Sequence, residues 1–86
     1  MKQHERPLKA LANKRRLEIL KYLKNKREAT VGDLAEYLKL SFKSTSRHLS
    51  VLYSADILEK EQRSSSCFYS LSSKLPLVAK SVISLI

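Results

Sequence analysis

Between residues 30 and 52 the sequence TVGDLAEYLKLSFKSTSRHLSVL carries two helix-start signals only eleven residues apart. Thr30, with Asp33 three residues on, has the capping-box pattern, in which a hydroxyl and a carboxylate each satisfy a free amide at a helix start. Val31, Leu34, Ala35 and Leu38 then line one face of a short helix. Leu40 and Ser41 interrupt it. Ser41 can cap the next helix, and Leu40 just before it can staple against Thr45. Thr45, Leu49 and Leu52 recur at spacings of four and three, which makes them the inward row of that second helix. A short helix, a turn of about three residues and another helix form a helix-turn-helix, which the spacing predicts over about 30–55.

The flanking segments fill out one domain, residues 1–86. A first helix is expected over ERPLKALA, with Pro7 in its opening turn. Asn13 can cap a second, KRRLEILKYLKN, whose stripe is Leu17, Ile19, Leu20 and Leu23. After Asp56 the period falls to two. ILEKEQR and CFYSLS read as strands joined at Ser64–Ser66, with Cys67, Tyr69 and Leu71 on one face. Pro76 can open a last helix, LPLVAKSVISLI, over about 75–86. The order is α-α-α-α-β-β-α, mostly α with a small β-hairpin over about 57–72.

A chain of 86 residues buries only about 60–65 % of its unfolded surface, so its stability margin is thin. Its 17 Lys and Arg against 8 Asp and Glu leave a formal charge of +9, which favours a polyanionic partner, nucleic acid before an anionic membrane. The single cysteine, Cys67, allows no intrachain disulfide and suits a reducing, intracellular setting. No signal-peptide core or membrane-length apolar run is legible.

The helix starting at Phe42 holds four hydroxyl residues in KSTSRHLSVL, although Ser and Thr compete with the backbone for hydrogen bonds and make poor helix interiors. They make sense if the outer face lies against DNA. Short hydroxyls let a helix approach a groove and bond phosphates or base edges. Lys43, Ser46, Arg47 and Ser50 point outward, with Ser41, Phe42 and Ser44 near the helix start. Arg47 can pair with guanine or clamp a phosphate; Lys43 suits a phosphate near the positive helix end. Phe42 can touch a thymine methyl or pack on a neighbouring loop, and His48 belongs beside the buried row. From Tyr37 through Ala55 there is no acidic residue, whereas a solvated face more often mixes signs.

These segments resemble winged helix-turn-helix transcription regulators of the ArsR type. LANKRRLEILKYL, TVGDLAEYLKLS, STSRHLSVLYSADIL and the hairpin ending FYSLS carry the likeness in the family's order. The resemblance implies a cytoplasmic, nucleoid-associated homodimer that binds double-stranded DNA at a partly palindromic operator, usually as a repressor. It makes the segment from Phe42 the recognition helix and the hairpin around Ser64–Ser66 the wing. Lys60, Arg63 and Ser65 are then the wing's candidate contacts, with Glu59 and Glu61 opposing close phosphate approach.

The departures from the family are specific. Arsenite- and cadmium-sensing members place two cysteines where Thr30 and Gly32 stand, and zinc-sensing members use His and carboxylates on the last helix. LPLVAKSVISLI has none of these, so ligand chemistry excludes metal sensing at either site, and no cofactor is expected. Gly32 is the one glycine. Lys39, Asp56 and Ser64–Ser66 occupy regions where the family often uses glycine, at a cost on the order of 1 kcal/mol wherever φ is positive. A wing that is short or differently shaped is expected.

The last helix is too apolar to be solvated. A two-fold dimer built from Leu77, Val78, Val82, Ile83 and Leu85 together with Leu8 and Leu11 would cover it. Lys80 is its only charge, which argues against a membrane-surface role. There is no nucleophile–base pair, metal cluster or phosphate loop, so the chain is not read as an enzyme. The competing readings are a non-specific architectural DNA binder and a winged-helix module that docks protein. No feature of the sequence names an effector.

Overall fold

The computed structural model describes residues 1–86. Its elements run α1 (Lys2–Leu11), α2 (Lys14–Lys26), β1 (Glu28–Ala29), α3 (Val31–Leu38), α4 (Phe42–Ser54), β2 (Leu58–Arg63), β3 (Ser66–Leu71) and α5 (Leu77–Leu85).

The expected caps form. The Asn13 side chain accepts from the Arg16 amide at 3.1 Å. Thr30 Oγ1 accepts from the Asp33 amide and Asp33 Oδ2 from the Thr30 amide, each at 3.1 Å. Ser41 Oγ accepts from the Ser44 amide at 3.0 Å. Capping of this kind contributes about 1 kcal/mol per helix.

Of these, α3 and α4 also end alike. Lys39 turns left-handed at φ 58°, its amide donates to Glu36 O at 3.3 Å, and the Leu40 amide donates to Ala35 O at 3.1 Å. Asp56 does so at φ 62°, with Asp56 donating to Tyr53 O and Ile57 to Leu52 O, both at 3.0 Å. Both are Schellman motifs, in which two orphan carbonyls are satisfied and an apolar residue folds back onto the helix. Leu40 is partly buried against the core and Ile57 fully buried. Glycine would be the usual left-handed residue at each. Arg27 and Ser64 also have positive φ, at 74° and 52°, whereas Gly32 does not. The strain expected at Lys39, Asp56 and the wing tip is therefore present; that at Arg27 was not anticipated.

The sheet is antiparallel with order β1-β3-β2. The β2–β3 register runs from Leu58 opposite Leu71 to Arg63 opposite Ser66, leaving Ser64 and Ser65 as the whole turn. β1 is absent from the sequence-based expectation. It has two residues, too few for any period, and it forms because Ala29 pairs with Tyr69 and is buried.

The core lies between α2, the helix pair α3–α4 and the sheet. Ile19, Leu20, Leu34, Leu49, Leu52 and Ile57 are 0 % exposed. Thr45, equally buried, donates its hydroxyl to Ser41 O at 2.9 Å, so the polar atom is satisfied within its own helix. Two boundaries differ from expectation. α1 begins at Lys2 rather than Glu5, which moves Pro7 out of the opening turn and into the helix. Pro7 has no amide for Gln3 O, and burial of Pro7, Ala10 and Leu11 offsets the lost bond. Pro76 caps α5 from outside instead of opening it.

Arg16 ties α1, α2 and α4 together. Its Nε donates to Ala10 O at 2.6 Å and its Nη2 to Lys9 O at 3.3 Å, which satisfies the C-terminal carbonyls of α1. Its Nη1 lies 3.3 Å from His48 Nδ1. Only a neutral imidazole can accept there. Burial first, then the charges of Arg16, Arg15 and Arg47, hold the His48 pKa below its ordinary 6.5.

Two outcomes follow from these contacts. The unfolded chain takes up a proton at His48 near pH 6.5 and the folded chain does not. His48's contribution to folding stability is thus complete above that pH and declines as pH falls through it, down to the lower folded pKa. Urea denaturation at a series of pH values will show this decline, and His48→Asn, which keeps an acceptor but does not titrate, will flatten it. Lys39→Gly relieves the left-handed strain and will raise stability by roughly 0.5–1 kcal/mol in the same assay.

Candidate nucleic-acid interface

α4 docks through Thr45, Leu49 and Leu52, and that row fixes what its other side presents. Ser41, Phe42, Lys43, Ser44, Arg47 and Ser50 are exposed and Ser46 is half-buried. Phe42 is 63 % exposed, so it is not packed away under a loop. It instead walls a cleft of about 340 Å³ between the start of α3 and the wing, with Ser65 on the far side. His48 is half-buried against Arg16 and is not part of the outer face.

The outer face is electrostatically free to meet an anion. The protein's ion pairs join Lys9 to Glu5, Arg15 to Glu18, and Arg63 to both Glu28 and Glu61. Neither Lys43 nor Arg47 is committed to a carboxylate. The exposed side of the acid-free stretch from Tyr37 to Ala55 thus carries cations and hydroxyls and no carboxylate.

The wing is different. Arg63 Nε lies 3.1 Å from Glu61, Nη2 is bonded to Glu28 on β1, and the guanidinium stacks 4.1 Å from the Phe68 ring centre. Its partner carboxylates hold its pKa up. Arg63 therefore ties the hairpin to β1, and its charge is already paired, which weighs against its use as a phosphate contact. The missing signal was β1 itself, which brings Glu28 alongside. Lys60 Nζ sits 4.4 Å over the Tyr53 ring, held against α4 with its charge unpaired. Ser65 is exposed at the turn.

The proposed dimer residues divide. Leu11 and Ile83 are 5 % and 6 % exposed within a single chain, because α1 and α5 pack on each other there. They belong to the core and leave little surface for a second copy. Leu8, Leu77 and Leu85 remain exposed, and Val78 and Val82 are half-buried beside them. Lys24 Nζ donates to Ile83 O at 2.9 Å and fixes the end of α5 on α2.

A groove of about 650 Å³ runs between α1 and the C-terminal half of α4, sharing Arg47 and Ser50 with the outer face. Sequence reasoning did not single it out, although Lys2, Arg6 and Lys9 show helical spacing. No three His, Cys, Asp or Glu side chains come together as metal ligands. Thr30 is occupied as a helix cap. No helix is long and apolar enough to cross a membrane.

Residues 13–60 match the family described as bacterial regulatory protein, arsR family. The chain is 41 % identical over 66 residues to the transcriptional activator HlyU of Vibrio cholerae, covering 77 % of this chain and 60 % of that protein. A solved structure of HlyU superposes with a TM-score of 0.83, over 96 % of this chain and 86 % of that one, at 36 % identity. The arsenical resistance operon repressor of Bacillus subtilis is 32 % identical over 71 residues, 83 % of this chain and 68 % of its own length. A homodimeric winged helix-turn-helix DNA-binding domain from Mycobacterium bovis superposes with a TM-score of 0.82, at 27 % identity over 98 % of this chain and 74 % of that one. α3 and α4 are the helix-turn-helix and the β2–β3 hairpin is the wing: the chain belongs to the arsR family of bacterial transcription regulators and is not an enzyme.

Proposed function

We propose that this protein is a sequence-specific regulator that binds a palindromic operator in double-stranded DNA as a homodimer, in the bacterial cytoplasm on the nucleoid, and represses by occupying that site. The acid-free outer face of α4 carries the reading. Its free Arg47 and Lys43, with Ser46 and Ser50 beside them, suit a major groove: the arginine for a base edge, the lysine for a phosphate, the hydroxyls for close approach. An acidic protein partner would need no such run of short hydroxyls.

Leu8, Leu77 and Leu85, flanked by Val78 and Val82, supply an apolar face across α1 and α5 that a second copy can cover. The Mycobacterium bovis domain is homodimeric, which supports a homodimer here. A two-fold dimer sets the two recognition helices about 34 Å apart, one DNA turn. The Bacillus relative is named a repressor and the Vibrio relative an activator. Binding an operator is common to both roles, and occlusion is the simpler of the two.

Selection from a random duplex library at near-physiological salt tests this directly. The expected result is an enriched palindrome with half-sites about ten base pairs apart. Binding without enrichment that vanishes as salt rises would sink the specific reading and leave an architectural binder. On the selected site, Arg47→Ala will weaken binding by roughly 1–3 kcal/mol and alter base preference, read by repeating the selection with the variant. Lys43→Ala will weaken all sequences alike and lower the salt slope by about one per subunit, about two for the dimer.

A further inference from the structure

The flank of α4 that faces α1 has a charge pattern the wing lacks. Lys2, Arg6 and Lys9 form one stripe on α1, spaced four and three, and line the groove with Arg16, Arg47 and Ser50. Glu5 is the sole acid there and is already paired with Lys9 at 3.2 Å. Arg16 is spent on the carbonyls of α1 and on His48. Lys2, Arg6 and Arg47 are exposed with no carboxylate partner. On the opposite flank, the wing's Arg63 is neutralised by Glu28 and Glu61, and Glu59 accepts the Ser73 amide at 3.0 Å. The chain therefore meets a polyanion with a wing flank whose one unpaired cation is Lys60, among Glu28, Glu59 and Glu61, and an α1 flank that is strongly positive.

Resting on the DNA-binding reading above, we propose that the α1 stripe is a second phosphate-contacting surface of this protein, holding the DNA backbone on the side of the recognition helix away from the wing. Three observations carry it. The groove is continuous with the recognition face, because Arg47 and Ser50 belong to both. It is open and its cations are long and exposed, which fits a backbone track better than an enclosed small-molecule site. At about 100° per residue Leu8 points roughly 100° away from Lys9, so a second copy seated on Leu8 leaves the stripe free. In that dimer α1 lies nearer the two-fold axis than the wing does, and the phosphates it holds are those between the half-sites.

The test is a salt series of duplex affinities for the wild type, Lys2→Gln, Lys2→Gln/Arg6→Gln and Arg6→Lys. Each phosphate contact adds about 0.9 to the slope of log affinity against log salt. Each substitution is present in both subunits, so Lys2→Gln is expected to lower the slope by about two and the double variant by about three and a half, with base preference in the selection unchanged. Arg6 also donates to Ser54 O at 3.3 Å, so its loss can loosen α1. Arg6→Lys removes the guanidinium while keeping the charge, and its slope is expected to match the wild type. Ethylation of the central phosphates should interfere with wild-type binding and not with that of the double variant. Wild-type slopes in Lys2→Gln and the double variant, beside a lowered slope in Lys43→Ala, overturn this inference and leave the recognition helix standing. If Lys43→Ala and Arg47→Ala are also without effect, the DNA-binding reading falls and this one with it.

Discussion

The docking of α4 through Thr45, Leu49 and Leu52 is the contact on which the other features depend. All three side chains are sealed from solvent, and both ends of the helix are closed, by Ser41 at the start and by the Leu52–Ile57 turn at the end. A helix held that firmly along one face has no freedom about its axis, so Lys43 and Arg47 are aimed by the packing behind them. The single buried hydroxyl costs little, because Thr45 bonds back to Ser41 O, the carbonyl of the capping residue itself. The exposed face and the core row are two sides of one constraint.

That constraint is met at some expense elsewhere. Four non-glycine residues hold positive φ, each at a cost on the order of 1 kcal/mol, in a domain whose total stability is of order 5–15 kcal/mol. Burial first, and then the cations that crowd where α1, α2 and α4 meet, lower the His48 pKa and favour the neutral ring that can accept from Arg16. The ion pairs present are all on the surface, where such pairs add little. The excess charge is therefore not explained by the stability of the free chain. It makes physical sense when a polyanion is present to be neutralised.

Much of this was legible in sequence because the determinants are local. Thr30, Asp33, Ser41 and Asn13 act within three residues of themselves, and the four-and-three row of α4 needs only a helical period. The expected left-handed residues followed from what stands at Lys39 and Asp56 in place of glycine. What escaped depends on distant pairing. β1 exists only because β3 offers it an edge, and Arg63 is neutralised by a glutamate thirty-five residues earlier. Leu11 and Ile83 look like interface residues on helical wheels, yet the mutual packing of α1 and α5 consumes them. Pattern identifies an apolar face; only the fold says how much of it one chain can bury itself.

The same distinction bears on the two flanks of α4. Counted in sequence, the wing strand LEKEQR and the first helix KQHERPLKAL both mix acids with bases. In three dimensions β1 adds Glu28 to the wing and balances it further, while α1 turns its one acid onto Lys9 and lines up Lys2 and Arg6 beside Arg47. The asymmetry arises from topology, since the sheet gathers carboxylates on one side of α4 and the helix layer gathers amines and guanidinium groups on the other. Counterion release rewards only the cations that remain unpaired. On that ground the geometry favours a DNA backbone running along α1, with the hairpin acting as a stiff spacer braced by Arg63 rather than as a charged clamp.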